Sequence, residues 1–168
     1  MDDELPEHPH DPHLVLPARP PGPPEAEHDL LDEPVLPLFG LSATTLGAIF
    51  AGGALGTLAR YLLAAHHPGA AGAFPWVTLL VNLTGSFAIG LLVPLTEHVA
   101  PRAPWARPLL VIGFLGGWTT YSSLAVDATE LLRHGDAATC VAYLVATVAG
   151  GLALVVAGHA EGRRLTDR

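Results

Sequence analysis

The stretch from Pro108 to Arg133 reads PLLVIGFLGGWTTYSSLAVDATELLR, and two of its properties decide the fold. Its first 19 residues carry no charge, and at about 1.5 Å per residue the whole is long enough to cross a hydrocarbon core of about 30 Å as a helix. Midway along, Gly116-Gly117 is followed by Trp118-Thr119-Thr120-Tyr121-Ser122-Ser123, side chains that each carry a hydrogen-bond donor. Two glycines in mid-span cost about 1 kcal/mol each relative to alanine, so the third span is expected to be a helix broken at Gly116-Gly117. Carbonyls freed by such a break must be met by protein, water or an ion. Two breaks facing each other would make an oxygen-lined cation site; a close helix crossing is the other use of the pair.

Working outward, three more apolar blocks of spanning length flank this one. They run roughly over 42–65, ended by His66-His67-Pro68-Gly69, from about Pro75, a good first helical residue, to Glu97, and over 137–160. The stretches 61–96 and 137–160 contain no charged residue. A soluble domain carries about a quarter charged residues, against 14% here, and 168 residues leave no polar shell to cover four such blocks. The expected fold is therefore an all-α membrane protein of four transmembrane helices. Residues 1–40 differ in kind: they hold ten of the sixteen acids, ten of the sixteen prolines, four of the nine histidines and one arginine, Arg19. Such a segment cannot bury enough apolar surface to offset its ordering entropy and reads as a disordered, solvated acidic tail, followed by a membrane domain over 41–160 and a short tail over 161–168. The opening Met-Asp-Asp-Glu-Leu-Pro-Glu lacks the basic and apolar regions of a secretory signal, so the first span is expected to direct insertion itself.

The bases are all arginine, and basic residues are retained on the cytoplasmic side. Arg19, Arg102, Arg107, Arg163, Arg164 and Arg168 fall on one side of a four-span topology, Arg133 and Arg60 on the other. Both termini are expected in the cytoplasm, with the chain in the inner membrane.

Several function classes are excluded. No Ser-His-Asp or Cys-His set can be placed, so catalysis is not expected. The lone Cys140 offers neither a disulfide framework nor a cysteine zinc site, and the absence of a basic face leaves no nucleic-acid footprint. No carboxylate falls in the middle of a span, where proton-coupled transporters need one; Asp127 and Glu130 sit toward the end of the third. The interior instead holds neutral donors. Thr78, Asn82 and Ser86 fall at i, i+4 and i+8 on one helix face, and Tyr143 and Thr147 lie four apart on the fourth span. Gly52-x-x-x-Gly56, Ser86-x-x-x-Gly90 and Gly113-x-x-x-Gly117 have the small-residue spacing of close helix contacts. Inter-helix hydrogen bonding accounts for any one of these polar residues; the aligned face together with the broken helix points to a polar pathway.

Three stretches in register, Gly52-Gly53-Ala54-Leu55-Gly56-Thr57-Leu58-Ala59-Arg60-Tyr61, Thr78-Leu79-Leu80-Val81-Asn82-Leu83-Thr84-Gly85-Ser86-Phe87 and Gly113-Phe114-Leu115-Gly116-Gly117-Trp118-Thr119-Thr120-Tyr121-Ser122-Ser123-Leu124, resemble the signatures of the CrcB/Fluc fluoride channels. The resemblance covers about residues 46–158. It implies an antiparallel dimer with two fluoride pathways along the subunit interface and a structural sodium ion (Na+) at its centre. By position, Gly116 and Thr119 match the residues whose carbonyls hold the sodium, and Asn82 the pore asparagine whose amide donates to fluoride. Thr78 matches a pore-lining threonine, Tyr143 a residue of the polar track on the fourth span, and Arg60 an arginine ending the first. Thr120, Tyr121, Ser122 and Leu124 fall on the stretch lining the fluoride pathway. Two departures stand out: the family's pair of phenylalanines is here Tyr121 and Leu124, and Gly151 aligns where many members have a pore serine. Leucine has no ring edge to offer an anion. With the arginines biased six to two, these departures point to pairing with a separate, oppositely oriented paralogue and to one degenerate pore. The implied function is a fluoride-specific channel subunit that exports the anion passively and lowers its cytoplasmic concentration. A four-span transporter subunit for another small solute, and a non-conducting membrane scaffold, are the competing readings.

Overall fold

The structure, a computed structural model, describes residues 42–70 and 72–167. The acidic tail expected over 1–40 lies outside these residues. Among them every regular element is helical: α1 (Ala43–His66), α2 (Trp76–Val99), α3 (Pro108–Leu115), α4 (Gly116–Trp118), α5 (Tyr121–Arg133) and α6 (Ala137–Thr166). Elements α3 to α5 make up the third span, so four helices are long and apolar enough to cross a membrane.

The ends follow from local chemistry. Ser42 caps α1 by accepting from the Thr45 amide at 3.1 Å, and Pro75 stands just before α2 rather than inside its first turn. Asp136 caps α6 by accepting from the Thr139 amide, and hydrogen bonding from the Thr139 hydroxyl, then from its amide, holds the carboxyl below its ordinary value. Gly135, with φ of 78°, makes the tight reversal from α5 into α6 that side-chain-bearing residues rarely adopt. Helix α6 runs six residues past the expected end of its span at Ala160. At 30 residues it is about 45 Å long and outruns a 30 Å core, so its charged last turns continue as helix.

Packing divides the spans into two parallel pairs, α2 with α6 and α1 with the third span. Both pairs close through glycines, because lipid gives no hydrophobic drive and small residues let backbones meet. A Cβ on Gly52 would strike the Leu109 carbonyl, one on Gly56 the Phe114 carbonyl, one on Gly113 the Ile49 carbonyl at 2.7 Å, and one on Gly117 the Gly53 carbonyl. In the other pair Gly90 meets the Val155 carbonyl and Gly158 the Phe87 carbonyl. Gly162 at the end of α6 receives Leu91 and Pro94, the buried proline inside α2.

The break in the third span is displaced from where the glycines suggested. Gly116 keeps helical angles, φ −63° and ψ −33°, and Gly116–Trp118 is a helical turn. The chain extends instead at Thr119 (φ −73°, ψ 157°) and Thr120 (φ −149°, ψ 123°). Of the pair, Gly117 serves contact rather than unwinding, seating α1 together with Gly113, while the two β-branched threonines take the extended backbone they favour. Thr120 then caps α5 by accepting from the Ser123 amide at 3.1 Å. The segment before the break, Pro108–Leu115, is wound as a π-helix, a rare winding that is frequent at functional sites.

Candidate functional site

Three side chains from neighbouring spans fix the break. Asn82 on α2 grips the backbone of Thr120 from both sides: its Nδ2 donates to the Thr120 carbonyl at 3.0 Å and its Oδ1 accepts from the Thr120 amide at 2.9 Å. Arg60 on α1 donates through Nε to the Gly117 carbonyl at 3.1 Å, placing a cation at the C-terminal end of the helical turn, where the peptide dipoles favour it. Trp118 donates through its indole N–H to Thr84 Oγ1 at 3.1 Å. Asn82 has two amide N–H groups, and the second has no partner among the described residues.

This arrangement leaves particular carbonyls open. In an unbroken helix the Gly116 carbonyl would accept from the Thr120 amide and the Thr119 carbonyl from the Ser123 amide. Those amides donate to Asn82 Oδ1 and Thr120 Oγ1 instead. Gly116 is exposed, with no other side chain or backbone within 4 Å of where its Cβ would be. Tyr121, 82% exposed, and Ser122 lie on the open side of the same break. Thr120 Oγ1 is within hydrogen-bonding distance of the Ser122 and Ser123 hydroxyls at 3.2 and 3.1 Å.

A second polar group lies toward the start of α2. Tyr143 on α6 is fully buried, donates to Asp127 Oδ2 at 3.2 Å and meets the Phe74 ring edge-on with centroids 5.7 Å apart. Thr147 one turn later donates to the Tyr143 carbonyl at 2.8 Å. Thr78, Asp127 and Glu130 line a cavity of about 760 Å³ beside the α1–α2 loop. Leu124 does not share the exposure of Tyr121; it packs on the cluster of Leu79, Leu131, Cys140 and Tyr143.

The residues singled out from sequence thus fall into two groups: Arg60, Asn82, Gly116, Thr119, Thr120, Tyr121 and Ser122 around the break, and Thr78, Leu124 and Tyr143 nearer the cavity. Sequence reasoning missed the Trp118–Thr84 bond and the role of Asp127. Both had a signal, since an indole N–H or a carboxylate within a span must find a partner. Among the described residues no three His, Cys, Asp or Glu side chains are placed to hold a metal; at the break itself the oxygens left open are the neutral carbonyls of Gly116 and Thr119.

The chain is similar to known proteins. Residues 47–159 match the family model of CrcB-like protein, Camphor Resistance (CrcB). A protein of Rhizobium meliloti named fluoride-specific ion channel FluC is 47% identical over 116 residues, 68% of this chain and 93% of that protein. An Agrobacterium fabrum protein of the same name is 41% identical over 71% of this chain and 97% of its own length. Fluoride-specific ion channel FluC 2 of Nocardia farcinica is 40% identical over 75% of this chain and 90% of its own. With its four spans and the signature stretches gathered at the break and along α2, this chain belongs to the CrcB-like family.

Proposed function

We propose that the chain is a subunit of a fluoride-specific ion channel that lets fluoride leave the cytoplasm passively. The observation that carries this reading is the Asn82 clamp: one N–H fixes the broken span while the other stays available as a donor beside it. Fluoride is small and strongly hydrated, so a path for it must replace water with donors. The free Asn82 N–H, the hydroxyls of Thr78 and Ser122, and the ring edge of Tyr121 supply positive potential from neutral groups. Leu124 supplies none.

The conducting unit is a dimer of oppositely oriented subunits in the inner membrane, with both termini of this chain in the cytoplasm. Support comes from the exposed side of the break, where Gly116, Tyr121 and Ser122 have no cover, and from the six-to-two arginine bias, which favours a separate paralogue as the partner. The open carbonyls of Gly116 and Thr119 suit a hard cation such as sodium, and a facing subunit would complete the shell. A sodium ion bound there would keep the path electropositive without a lysine in it.

Expression in a bacterium lacking its own fluoride exporter tests the reading. Growth in fluoride should be restored by this chain, alone or with its paralogue, and lost with Asn82→Ala. Sensitivity unchanged in every combination would contradict it.

A further inference from the structure

Asn82 ties down the chain just after Thr119, and a second set of α2 contacts ties it down just before. The Trp118 indole N–H donates to Thr84 Oγ1 at 3.1 Å. Thr84 turns its own hydroxyl proton back into α2, to the Leu80 carbonyl at 2.7 Å and the Val81 carbonyl at 3.1 Å, so its oxygen is left to accept from the indole. The next residue, Gly85, is buried, and a Cβ there would strike the Thr119 methyl group and stand 3.2 Å from Trp118 Cδ1. Trp118 also lies parallel to Phe114, one turn earlier, with ring centroids 6.3 Å apart.

What these contacts hold in place is Thr119. Its amide and its hydroxyl both donate to the Leu115 carbonyl at 3.0 Å, and its methyl group occupies the notch at Gly85. Its carbonyl is then the one polar group of the residue without a partner among the described residues. That carbonyl shares a planar peptide unit with the Thr120 amide, which donates to Asn82 Oδ1, so the oxygen faces away from Asn82. One bond to a peptide unit leaves it able to pivot unless the preceding turn is anchored as well, and the Trp118–Thr84 bond is that anchor. Within a span no water stands ready to replace either partner.

We propose that the Trp118–Thr84 bond is a positioning contact for the cation site: it ties the turn Gly116–Trp118 to α2, so that the Gly116 and Thr119 carbonyls keep the spacing that suits a sodium ion. Trp118 and Thr84 act through the backbone and supply no ligand themselves. The inference rests on the sodium reading above.

The test separates positioning from packing. The assembled channel is purified in choline chloride, and its thermal midpoint is followed as sodium chloride replaces choline at constant ionic strength. Trp118→Phe keeps a ring beside Phe114 but removes the N–H; Thr84→Val keeps the branched shape but removes the acceptor. Each should raise the half-saturating sodium concentration by roughly three- to tenfold, the size of one hydrogen bond. The double variant should match the single ones, since all three lack the same bond, and Thr84→Ser, which keeps the hydroxyl, should titrate as the wild type does. A packing contact would lower the midpoint equally at every sodium concentration and leave the half-saturating value unmoved. That result, shifts that multiply in the double variant, or a Thr84→Ser shift as large as that of Thr84→Val would overturn the proposal. A wild type whose midpoint does not respond to sodium would overturn the sodium reading on which the proposal stands.

Discussion

Asn82 is committed to Thr120 through both the acceptor and one donor of its amide. Replacing it with alanine removes two hydrogen bonds, each worth about 0.5–1.5 kcal/mol, and returns the Thr120 amide to a span with no water to meet it. Asn82→Ala is expected to lower stability in detergent by about 1–3 kcal/mol, read from a denaturation midpoint, as well as to stop fluoride flux. Arg60 acts on the neighbouring turn. Arg60→Ala should destabilise by about 1.5–3 kcal/mol, the range for a bond from a charged donor, because the Gly117 carbonyl then loses its partner. Arg60→Lys should recover only part of this, since lysine lacks the Nε donor. At this scale the sequence was informative about which residues matter and silent about what they bond. The i, i+4, i+8 spacing put Thr78, Asn82 and Ser86 on one face, but that Asn82 reaches a backbone 38 residues away depends on the register between two spans.

Among elements, the two helix pairs are held by glycine notches against backbone carbonyls. Gly56→Ala is expected to cost about 1–3 kcal/mol as an overpacking change, because its Cβ would meet the Phe114 carbonyl rather than a side chain that can move. Gly47→Ala, on the same helix with nothing within 4 Å, should be neutral or stabilising by up to about 1 kcal/mol. A thermal-shift comparison of the two variants checks the contrast, and equal loss in both would mean α1 does not sit against the third span as described. The four spans and most of their ends were legible, because charge-free blocks of spanning length admit few other readings. The position of the break was not. A Gly-Gly pair marks either an unwound turn or a close crossing, and only the partner helix decides; here α1 takes Gly113 and Gly117 for contact, leaving the extension to Thr119-Thr120. The cap by which Thr120 accepts from the Ser123 amide, and which starts α5, is seen only in the structure.

For the whole molecule the open side of the break is the informative feature. Gly116 is unencumbered within its own subunit, so Gly116→Ala should leave the subunit folded, with an unchanged helical circular-dichroism spectrum, and weaken assembly on size-exclusion chromatography. Replacing sodium with a large organic cation during purification should shift the same elution profile in the same direction. Composition gives residues 1–37 little apolar surface to bury in the channel, and a chain beginning at residue 38 should conduct as the full chain does.

The central claim, that this subunit conducts fluoride through a path built on Asn82, is tested most directly by anion efflux from liposomes. The purified chain is reconstituted alone and with a co-expressed second subunit of the same family, and fluoride release is followed with an electrode against chloride as the competing anion. The account predicts rapid fluoride efflux, little chloride efflux and loss of the fluoride signal in Asn82→Ala. Efflux that does not distinguish fluoride from chloride, or that survives Asn82→Ala undiminished, would contradict it.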